Sequence, residues 1–490
     1  MRGFLASSIG VTCAAALALP LTPPAVAATA RPAAATEAAT AAGWSRHAET
    51  PATVGTLRRA AGPSVAGSTQ SLPLEPLTRN RATPSAPATE QGLSPRAVRH
   101  FSLLGVVWDD PDAELHGRVQ VRTRAAATGA WSGWQDVETH NADHAADPDT
   151  AERASGRVRG ATAPLWVGES DGVELRVRSA TETEAAAGHH HRTTARGLPL
   201  PAGLRLELVD PGEDDAPPHP LTAGAARTGA VTAESSAATE VTAAEASAAD
   251  AGLAPLGATE IAALGRTETE RELLTLRGAE VAAQQKAGPY VGPRPAIVTR
   301  RGWGANESLR ESGFRYTKKV KAAFVHHTAS GNNYSCSQAP SLIRSIYRYH
   351  VRSMGWRDIG YNFLVDKCGR IYEGRAGGVA KPVLGAHTLG FNSNSMGIAV
   401  IGSYGVTKPS KRAVKAVARL TAWKLGLYGM NPKGKTYLTS AGSNLHAKGK
   451  KVRLNVISGH KDGFVTECPG RKLYGKLGSA RSTAARYQGR

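Results

Sequence analysis

The sequence is poor in long apolar runs, in cysteine and, over its second half, in acidic residues. Only residues 4–28 form an extended uncharged apolar stretch, and no later segment reaches the roughly 20 apolar residues that a membrane helix needs. This excludes a multi-pass membrane protein, and we expect no integral membrane association. Hydrophobic residues still make up 41% of the 490 residues, which is enough for a buried core, and the length predicts two or three folded units.

The N-terminus has the features of a secretory signal peptide, which we place at residues 1–28. Arg2 supplies a positive charge, residues 4–21 supply an apolar stretch, and residues 25–27 (AVA) form a small-x-small cleavage site. The sequence therefore predicts export. Removal of this segment takes Cys13 with it and leaves three cysteines in an oxidising setting, so at least one of them has a role other than pairing.

Composition divides the middle of the chain into three parts. Residues 29–98 are rich in Ala, Thr, Pro and Ser and cannot bury enough apolar surface to offset the entropy of ordering, so we predict a disordered leader. Short, mostly alternating apolar segments separated by turn residues predict a small all-β sandwich domain at 99–210, of unknown role. Residues 211–290 are again rich in Ala, Thr, Glu and Gly and are predicted to be a linker, with room for one marginal helix at 260–284.

The scarcity of acidic residues makes the C-terminal domain strongly basic. Residues 291–490 hold 35 of the 60 Lys and Arg but 7 of the 40 Asp and Glu, a net charge of +28, and the rest of the chain has a net charge of −8. A basic domain invites a nucleic-acid partner, but the helix-turn-helix, RNP-type and zinc-finger patterns are all missing. We therefore expect no nucleic acid, and we expect an exported protein of this charge to meet anionic surface polymers instead.

The basic domain has a mixed pattern of strands and helices. We assign, in chain order, a strand at 320–325, a helix at 338–354, a hairpin at 362–372, a strand at 396–401 and helices at 411–425 and after 470. The predicted fold class is α/β, with a central mixed β-sheet flanked by helices over 291–490, preceded by the small all-β sandwich and disordered linkers.

Two histidines and a cysteine have the residue types of a zinc site. His326 ends a predicted strand, where a side chain is held rigidly at the rim of a sheet, and His460 precedes Cys468 by eight residues. Imidazole nitrogen and thiolate suit Zn²⁺, and three protein ligands leave a fourth position for water, as in catalytic zinc sites. From the residues alone, the alternative stays open that these histidines only make hydrogen bonds.

Five motifs in a fixed order over about 295–490 resemble the peptidoglycan recognition protein family. The motifs are FVHHTA (324–329), GWRDIGYNFLV (355–365), YEGR (372–375), GAH (385–387) and GHKDGFVTECPG (459–470). Catalytic members of this family are zinc-dependent N-acetylmuramoyl-L-alanine amidases, similar to the phage T7 lysozyme type. The sandwich is not covered, although such extensions resemble those of exported actinobacterial members.

Matched motif by motif, the resemblance implies roles for individual residues. The implied metal ligands are His326, His460 and Cys468, the implied catalytic residues are Tyr361 and Thr466, and the implied substrate-binding residues are His350, Trp356, His387 and Asn392. At the position of Thr466 the phage enzyme carries lysine, so the sequence departs there from the phage pattern. Ordinary packing is the alternative for each substrate-binding residue.

The resemblance also implies the reaction and the partners. Zinc-activated water would hydrolyse the amide bond between N-acetylmuramic acid and L-alanine in peptidoglycan, with Zn²⁺ as cofactor and the Tyr361 hydroxyl donating to the developing oxyanion. The partners would be peptidoglycan and anionic cell-wall polymers, met by a secreted monomer that is extracellular or associated with the cell wall. The alternative is a non-catalytic peptidoglycan-binding receptor, although such members have usually replaced the cysteine that Cys468 matches.

With Cys468 assigned to the metal, Cys336 and Cys368 remain as a predicted disulfide, with two free thiols as the alternative. The long linker predicts no fixed orientation between the sandwich and the basic domain. We therefore also expect residues 291–490 alone to be a competent amidase.

Overall fold

The computed structural model describes residues 67–77, 90–139, 141–180, 198–212, 233–284 and 290–490. The predicted signal peptide lies outside the described residues, as does most of the predicted leader. All of the described residues belong to one unit, Pro63–Arg490.

The N-terminal domain is an antiparallel all-β structure, as predicted. Its strands are β1 (Ser68–Pro73), β2 (Glu75–Pro76), β3 (Glu90–Trp108), β4 (Gly117–Ala125), β5 (Gln135–Val137), β6 (Gly160–Ala161), β7 (Leu165–Ser179) and β8 (Arg205–Asp210). Hydrogen bonds connect them in the order β1-β8-β3-β7-β4-β5, and β2 and β6 pair with β3. Phe101, Val119 and Leu175 are among the side chains that fill the core of this domain.

The domain begins earlier than residue 99, which corrects part of the predicted leader. β1 and the start of β3 both lie within residues 29–98. β1 pairs with β8 from Ser68 opposite Asp210 to Pro73 opposite Arg205. Backbone hydrogen bonds to an existing sheet therefore order a segment whose composition could not form a core alone.

The C-terminal domain contains the predicted mixed sheet. Its strands are β9 (Glu260–Ile261), β10 (Ile297–Val298), β11 (Ala322–His327), β12 (Phe363–Val365), β13 (Ile371–Glu373), β14 (Ser395–Val400), β15 (Lys435–Thr439), β16 (Lys451–Asn455) and β17 (Ile457–Gly459). Seven of them form one sheet in the order β17-β11-β14-β12-β13-β10-β9, and β15 and β16 form a separate hairpin. Pairing is parallel from β17 to β12 and antiparallel between β12 and β13, which confirms the predicted hairpin.

Six α-helices accompany this sheet in the described part of the chain. They are α1 (Ala233–Ala248), α2 (Arg266–Gln284), α3 (Ala339–Arg348), α4 (Lys411–Gly426), α5 (Arg471–Tyr474) and α6 (Leu477–Gln488). A π-helical turn, Tyr349–Ser353, continues α3, and α4 begins at Ser410, whose hydroxyl accepts a hydrogen bond from the backbone N–H of Ala413. None of the helices that the structure describes has the length and apolarity needed to cross a membrane.

Alternate residues of the central strands face two different layers of the domain. Val325 and Ile398 pack in the cluster that contains α4 and α6. Leu364 and Ala399 pack in the cluster that contains α3. His326 follows Val325 along β11, so its side chain points away from α4 and toward the α3 side of the sheet.

Much of the predicted linker is folded against the C-terminal domain, which corrects the boundary at 291. Glu245 of α1 forms an ion pair with Arg310 at 3.0 Å, β9 extends the sheet beside β10, and Leu273 of α2 is buried in the core. The composition of this segment is too polar for a core of its own. The sheet provides most of the apolar surface, so a few side chains from the segment are sufficient to order it.

The N-terminal domain packs on the α3 side of the sheet, which corrects the expectation of two independently oriented domains. Trp166 and Tyr349 belong to one buried cluster shared by the two domains. The Tyr349 hydroxyl donates a hydrogen bond of 3.1 Å to the carbonyl of Thr162, and the Ser353 hydroxyl donates one of 2.9 Å to the Glu207 carboxylate. The contact is thus made by the β-domain itself and does not depend on the intervening chain.

Cys336 and Cys368 form a disulfide with their Cα atoms 6.2 Å apart, which confirms the predicted pair. The bond joins the turn before α3 to the turn between β12 and β13. It therefore ties the helix of one layer to the middle of the sheet.

Replacing both cysteines by serine is expected to lower the free energy of unfolding by about 3 to 4 kcal/mol, because the bond closes a loop of 32 residues in the unfolded chain. Urea unfolding of the parent protein and the double variant, measured under the same conditions, gives this difference. A loss below about 1 kcal/mol would contradict the expectation.

Candidate metal centre and substrate groove

The sheet register brings two histidines together at one edge. β11 and β17 are parallel neighbours, and Val325 lies opposite Gly459. A histidine follows each of these residues: His326 is still in β11, and His460 comes directly after β17. Their ring centroids are 4.4 Å apart. Both side chains are fully buried.

Cys468 reaches the same point from the loop after β17. The loop is closed by a hydrogen bond of 3.1 Å from the backbone N–H of Lys461 to the carbonyl of Cys468. The Cys468 sulfur lies 3.8 Å from Nδ1 of His326 and accepts a hydrogen bond of 3.4 Å from the backbone N–H of His327. The structure therefore brings together all three residues predicted as ligands.

A fourth residue, His144, joins this group from the N-terminal domain. Its Nε2 lies 3.7 Å from the Cys468 sulfur, and its ring centroid is 4.5 Å from that of His460. One ligand atom from each of the four residues lies within 4.8 Å of the others. We call His144, His326, His460 and Cys468 together the metal-binding group. The sequence patterns did not single out His144, and all of the residues that they assign to the site lie in the C-terminal domain.

The four residues fit a bound Zn²⁺ ion. In a tetrahedral site with ordinary zinc–ligand distances, sulfur and nitrogen ligands are about 3.5 Å apart, close to the distances from Cys468 to the two imidazoles. Both ring nitrogens of His460 are buried and make no hydrogen bond among the described residues, and a carboxylate oxygen of Asp143 lies 3.5 Å from Nδ1. A cation would satisfy the ring nitrogen that does not face Asp143, which favours a metal at this point.

The protonation of these groups is consistent with ligand function. Burial lowers the pKa of His326 well below its ordinary value and that of His460 to about 3, so both imidazoles are neutral and have a free lone pair. Burial raises the pKa of the Cys468 thiol. A bound divalent cation reverses that effect, because it stabilises the thiolate directly.

Neighbouring groups fix which nitrogen of each ring faces the centre. The Asp143 carboxylate lies 3.0 Å from Nδ1 of His144, so Nε2 points to Cys468. Nε2 of His326 lies 3.4 Å from the Thr388 hydroxyl, so Nδ1 points to Cys468. A carboxylate or hydroxyl on the second ring nitrogen is the usual way in which proteins orient histidine ligands.

Asp143 is a buried carboxylate in contact with two of the four residues, His144 and His460. Burial alone would raise its pKa, but His144, His460 and Thr466 stabilise the charged form and hold the pKa below its ordinary value. One of its oxygens lies 3.5 Å from Nδ1 of His460. The centre thus includes an anionic group from the N-terminal domain as well as an imidazole.

Tyr361 lies beside the group, two residues before β12. Its ring centroid is 5.6 Å from that of His326 and 5.8 Å from that of His144, and its side chain is buried. Burial raises the pKa of the phenol well above its ordinary value, so the hydroxyl keeps its proton. Its position is suited to the predicted role of a hydrogen-bond donor.

Thr466 lies in the loop before Cys468. Its hydroxyl accepts a hydrogen bond of 3.0 Å from the backbone N–H of Cys468, and it also interacts with Asp143. Through these two contacts Thr466 orients the Cys468 thiol and the Asp143 carboxylate.

His350 and Trp356 are outside the metal-binding group, and the His350 ring lies 5.7 Å from the ring of Tyr361. Their rings are 4.5 Å apart, and Nδ1 of His350 accepts a hydrogen bond of 3.1 Å from the backbone N–H of Gly360. Both side chains are buried. This hydrogen bond positions the segment that carries Tyr361.

His387 and Asn392 are fully buried near the metal-binding group. The ring centroid of His387 is 5.3 Å from that of His326. Asn392 accepts a hydrogen bond of 2.7 Å from the backbone N–H of His387 and donates one of 2.8 Å to the Asp147 carboxylate. Asn392, which the resemblance assigns to substrate binding, is therefore hydrogen-bonded to the N-terminal domain.

Sequence patterns gave a weak signal for the missed residues. The stretch NADHAADPD (141–149) has a histidine between aspartates and contains no large apolar side chain, which is unusual for a connection inside a β-domain. Such a pattern is compatible with a metal-binding loop. The contact of His144 with Cys468, 324 positions away, could not be derived from the spacing of residues.

Two family models match this chain. Residues 316–471 match a model described as N-acetylmuramoyl-L-alanine amidase, and residues 57–196 match one described as Rv3811 N-terminal galactose-binding domain-like. The second match covers most of the N-terminal β-domain.

Several curated relatives align with the C-terminal part of the chain. Peptidoglycan-recognition protein SC2 of Drosophila simulans is 31% identical over 183 residues, which are 37% of this chain and 84% of that protein. Peptidoglycan-recognition protein 1 of Holotrichia diomphalia is 29% identical over 184 residues, 37% of this chain and 79% of that protein.

Solved structures align over the same share of the chain. Wild-type Drosophila PGRP-LB is 26% identical, with 37% of this chain and 92% of that chain covered and a TM-score of 0.30. Peptidoglycan recognition protein-LE, solved in complex with tracheal cytotoxin, a monomeric diaminopimelic acid-type peptidoglycan, is 30% identical, with 37% and 92% covered and a TM-score of 0.29.

Proposed function

Because the chain belongs to the peptidoglycan-recognition protein family through its C-terminal domain, we propose that it is a zinc-dependent N-acetylmuramoyl-L-alanine amidase. The observation that carries this proposal is the buried Cys468 thiol beside two neutral imidazoles, one of which has no hydrogen-bond partner among the described residues. The resemblance supports the same choice, because members that only bind peptidoglycan have usually replaced the cysteine that Cys468 matches.

The proposed ligands of the catalytic zinc are His326, His460 and Cys468. When bound, zinc supplies a Lewis acid for the lactyl carbonyl of the muramic acid and lowers the pKa of a water molecule. Water adds to the carbonyl carbon, the bond to the L-alanine nitrogen breaks, and that nitrogen leaves as a free amine with a proton from the water.

The protein side chains provide the remaining functions. The neutral phenol of Tyr361 donates a hydrogen bond to the oxygen that becomes negative as water adds. Thr388 orients the His326 ring through Nε2, and Thr466 holds the loop of Cys468. His350 accepts a hydrogen bond from the backbone N–H of Gly360 and so positions the next residue, Tyr361.

The proposal includes export, through the predicted signal peptide at 1–28, and action on peptidoglycan at the cell wall. The net charge of +28 over residues 291–490 supports this location, because it attracts the domain to anionic wall polymers.

The test measures release of the L-alanine amino group from a soluble muropeptide and from purified peptidoglycan, using the zinc-loaded full chain and its His144→Ala variant. The variant is included because the His144 ring lies 3.7 Å from the Cys468 sulfur, within the group that would hold the metal. Release by either protein, and its loss after chelation of zinc, is the expected result. Binding of peptidoglycan by both proteins without any release would establish a non-catalytic receptor instead.

A further inference from the structure

Residues 141–152 of the N-terminal domain, which we name the insert segment, run across the metal-binding group of the C-terminal domain. Asn141 and residues 143–147 are buried. The segment leaves the β-domain after β5 and returns to it before β6. Three of its contacts with the C-terminal domain are buried and are described below, and an exposed ion pair between Asp149 and Lys448, at 2.8 Å, is a fourth.

The first contact is at the metal-binding group. His144 Nε2 lies 3.7 Å from the Cys468 sulfur, as close as the sulfur lies to His326, at 3.8 Å. The carbonyl of Asp143 also accepts a hydrogen bond of 3.0 Å from the backbone N–H of Leu389. The imidazole is thus held by its own backbone and by the Asp143 carboxylate.

The second contact is at Asn392. The Asp147 carboxylate accepts hydrogen bonds of 2.8 Å from the backbone N–H of Gly390 and from the Asn392 side chain. The Asn392 side chain donates a second bond of 2.8 Å to the carbonyl of Ala145. Both Asp147 and Asn392 are buried, so these bonds are shielded from water.

The third contact is an ion pair between Glu152 and Arg375. The two carboxylate oxygens accept hydrogen bonds of 2.8 and 2.9 Å from the two terminal nitrogens of the guanidinium. The side chains are 7% and 5% exposed, so this is a buried, bidentate pair. Glu152 also accepts a hydrogen bond from the backbone N–H of Arg357 at 3.2 Å.

These contacts leave the centre with four protein ligands in place of three. A zinc ion held by three protein ligands keeps a position for water or substrate, and a fourth protein ligand takes that position. The insert segment also takes up the hydrogen bonds of the Asn392 side-chain amide, and the resemblance assigns Asn392 to substrate binding.

We propose that the insert segment is a built-in inhibitor in which His144 is the fourth ligand of the zinc ion, so that the chain is latent until the segment withdraws. The proposal rests on the proposed function for the identity of the reaction. Its structural part, the fourth ligand, can be tested without any hydrolysis. The three contacts are all non-covalent, so withdrawal requires no bond to be cut.

The first test uses the full chain loaded with Co²⁺ in place of Zn²⁺ and measures its visible spectrum with and without azide. Four protein ligands leave no position for azide, so the spectrum of the parent protein should not change. His144→Ala opens one position, and its spectrum should change on addition of azide. His116→Ala is the matched control, because His116 is a half-exposed histidine of the same domain that is not in the metal-binding group.

The second test compares hydrolysis of a soluble muropeptide by the zinc-loaded proteins. His144→Ala is expected to be at least about tenfold faster than the parent, and His116→Ala is expected to equal it. A double variant, Asp147→Ala with Glu152→Ala, removes two of the contacts and keeps all four ligands. It should also be faster than the parent, because the segment then withdraws more often.

The outcomes separate this proposal from the proposed function. A parent protein whose cobalt spectrum responds to azide as the His144→Ala variant does would overturn the inhibitor, whatever the hydrolysis result. A His144→Ala variant that keeps zinc but hydrolyses more slowly than the parent would also overturn it and would make His144 a positive contributor. Azide access that appears only in His144→Ala, without hydrolysis by any variant, would retain the fourth ligand and refute the amidase.

Discussion

His326→Ala is expected to weaken zinc binding by roughly 10²-fold and to lower amide hydrolysis by at least about 10³-fold. Structural zinc sites bind with an apparent free energy of about 10 to 16 kcal/mol, so one of four ligands is worth about 3 kcal/mol. The imidazole is held at the end of β11, so alanine at this position removes a ligand atom whose place is fixed by the sheet. Competition with a zinc-binding dye measures the affinity in the full chain, and amine release measures the activity in the His144→Ala background, where access to the site does not limit the rate.

The neighbouring residue provides the control for this prediction. His327 follows His326 on β11, and successive side chains of a strand point to opposite faces. His327 is not in the metal-binding group, and its Nδ1 accepts a hydrogen bond of 3.2 Å from the backbone N–H of Tyr404. His327→Ala should therefore retain zinc. Equal zinc affinity of the two variants would remove His326 from the ligand set.

Tyr361→Phe is expected to lower kcat by about 10² to 10³ without changing zinc content. The substitution removes a single oxygen atom, and this is the usual loss for one donor to a developing oxyanion. Burial keeps the phenol protonated, so the effect should persist across neutral pH. The measurement should be made in the His144→Ala background, so that access to the site does not limit the rate.

A buried tyrosine outside the site tests whether the loss is specific. Tyr347 is also buried, and its hydroxyl donates a hydrogen bond of 3.1 Å to the carbonyl of Asn306. Tyr347→Phe removes the same atom away from the metal-binding group and should leave kcat within about threefold of the parent. If Tyr361→Phe has no larger effect than this, Tyr361 has only a structural role.

The three residues of the C-terminal domain that we propose as ligands could be identified from the sequence, because local motifs place them. His326 ends an apolar strand, and His460 and Cys468 lie in one short loop, so each lies next to an element that the sequence pattern identifies. The parallel register of β11 and β17 then brings the two histidines together. The pattern predicts the strands, and the strands determine which residues share an edge.

His144 could not be predicted in this way, because its neighbours in space are remote in sequence. Its contact with Cys468 joins residues 324 positions apart in different domains. Nothing in the composition of the β-domain indicates which of its loops faces the other domain. The error about domain orientation had the same origin, since Tyr349 and Thr162 look like ordinary core residues within their own domains.

The predicted linker shows a different limit of sequence analysis. Segments such as β9 and α2 have too few apolar residues to be recognised as folded by composition. They are ordered because Ile261 and Leu273 enter a core that the C-terminal sheet has already formed. Composition predicts whether a segment can fold alone, and gives little information on whether it can be added to another domain.

β9 also has a consequence for how the C-terminal domain can be isolated. It forms the last strand of the sheet, with Ile261 opposite Ile297 and Glu260 opposite Val298. A fragment that starts at residue 291 would leave the backbone of β10 as an unprotected edge, and an open edge is a template for pairing between molecules. Such a fragment is expected to aggregate. A fragment that starts before α1 keeps β9, which pairs with β10 and covers its edge.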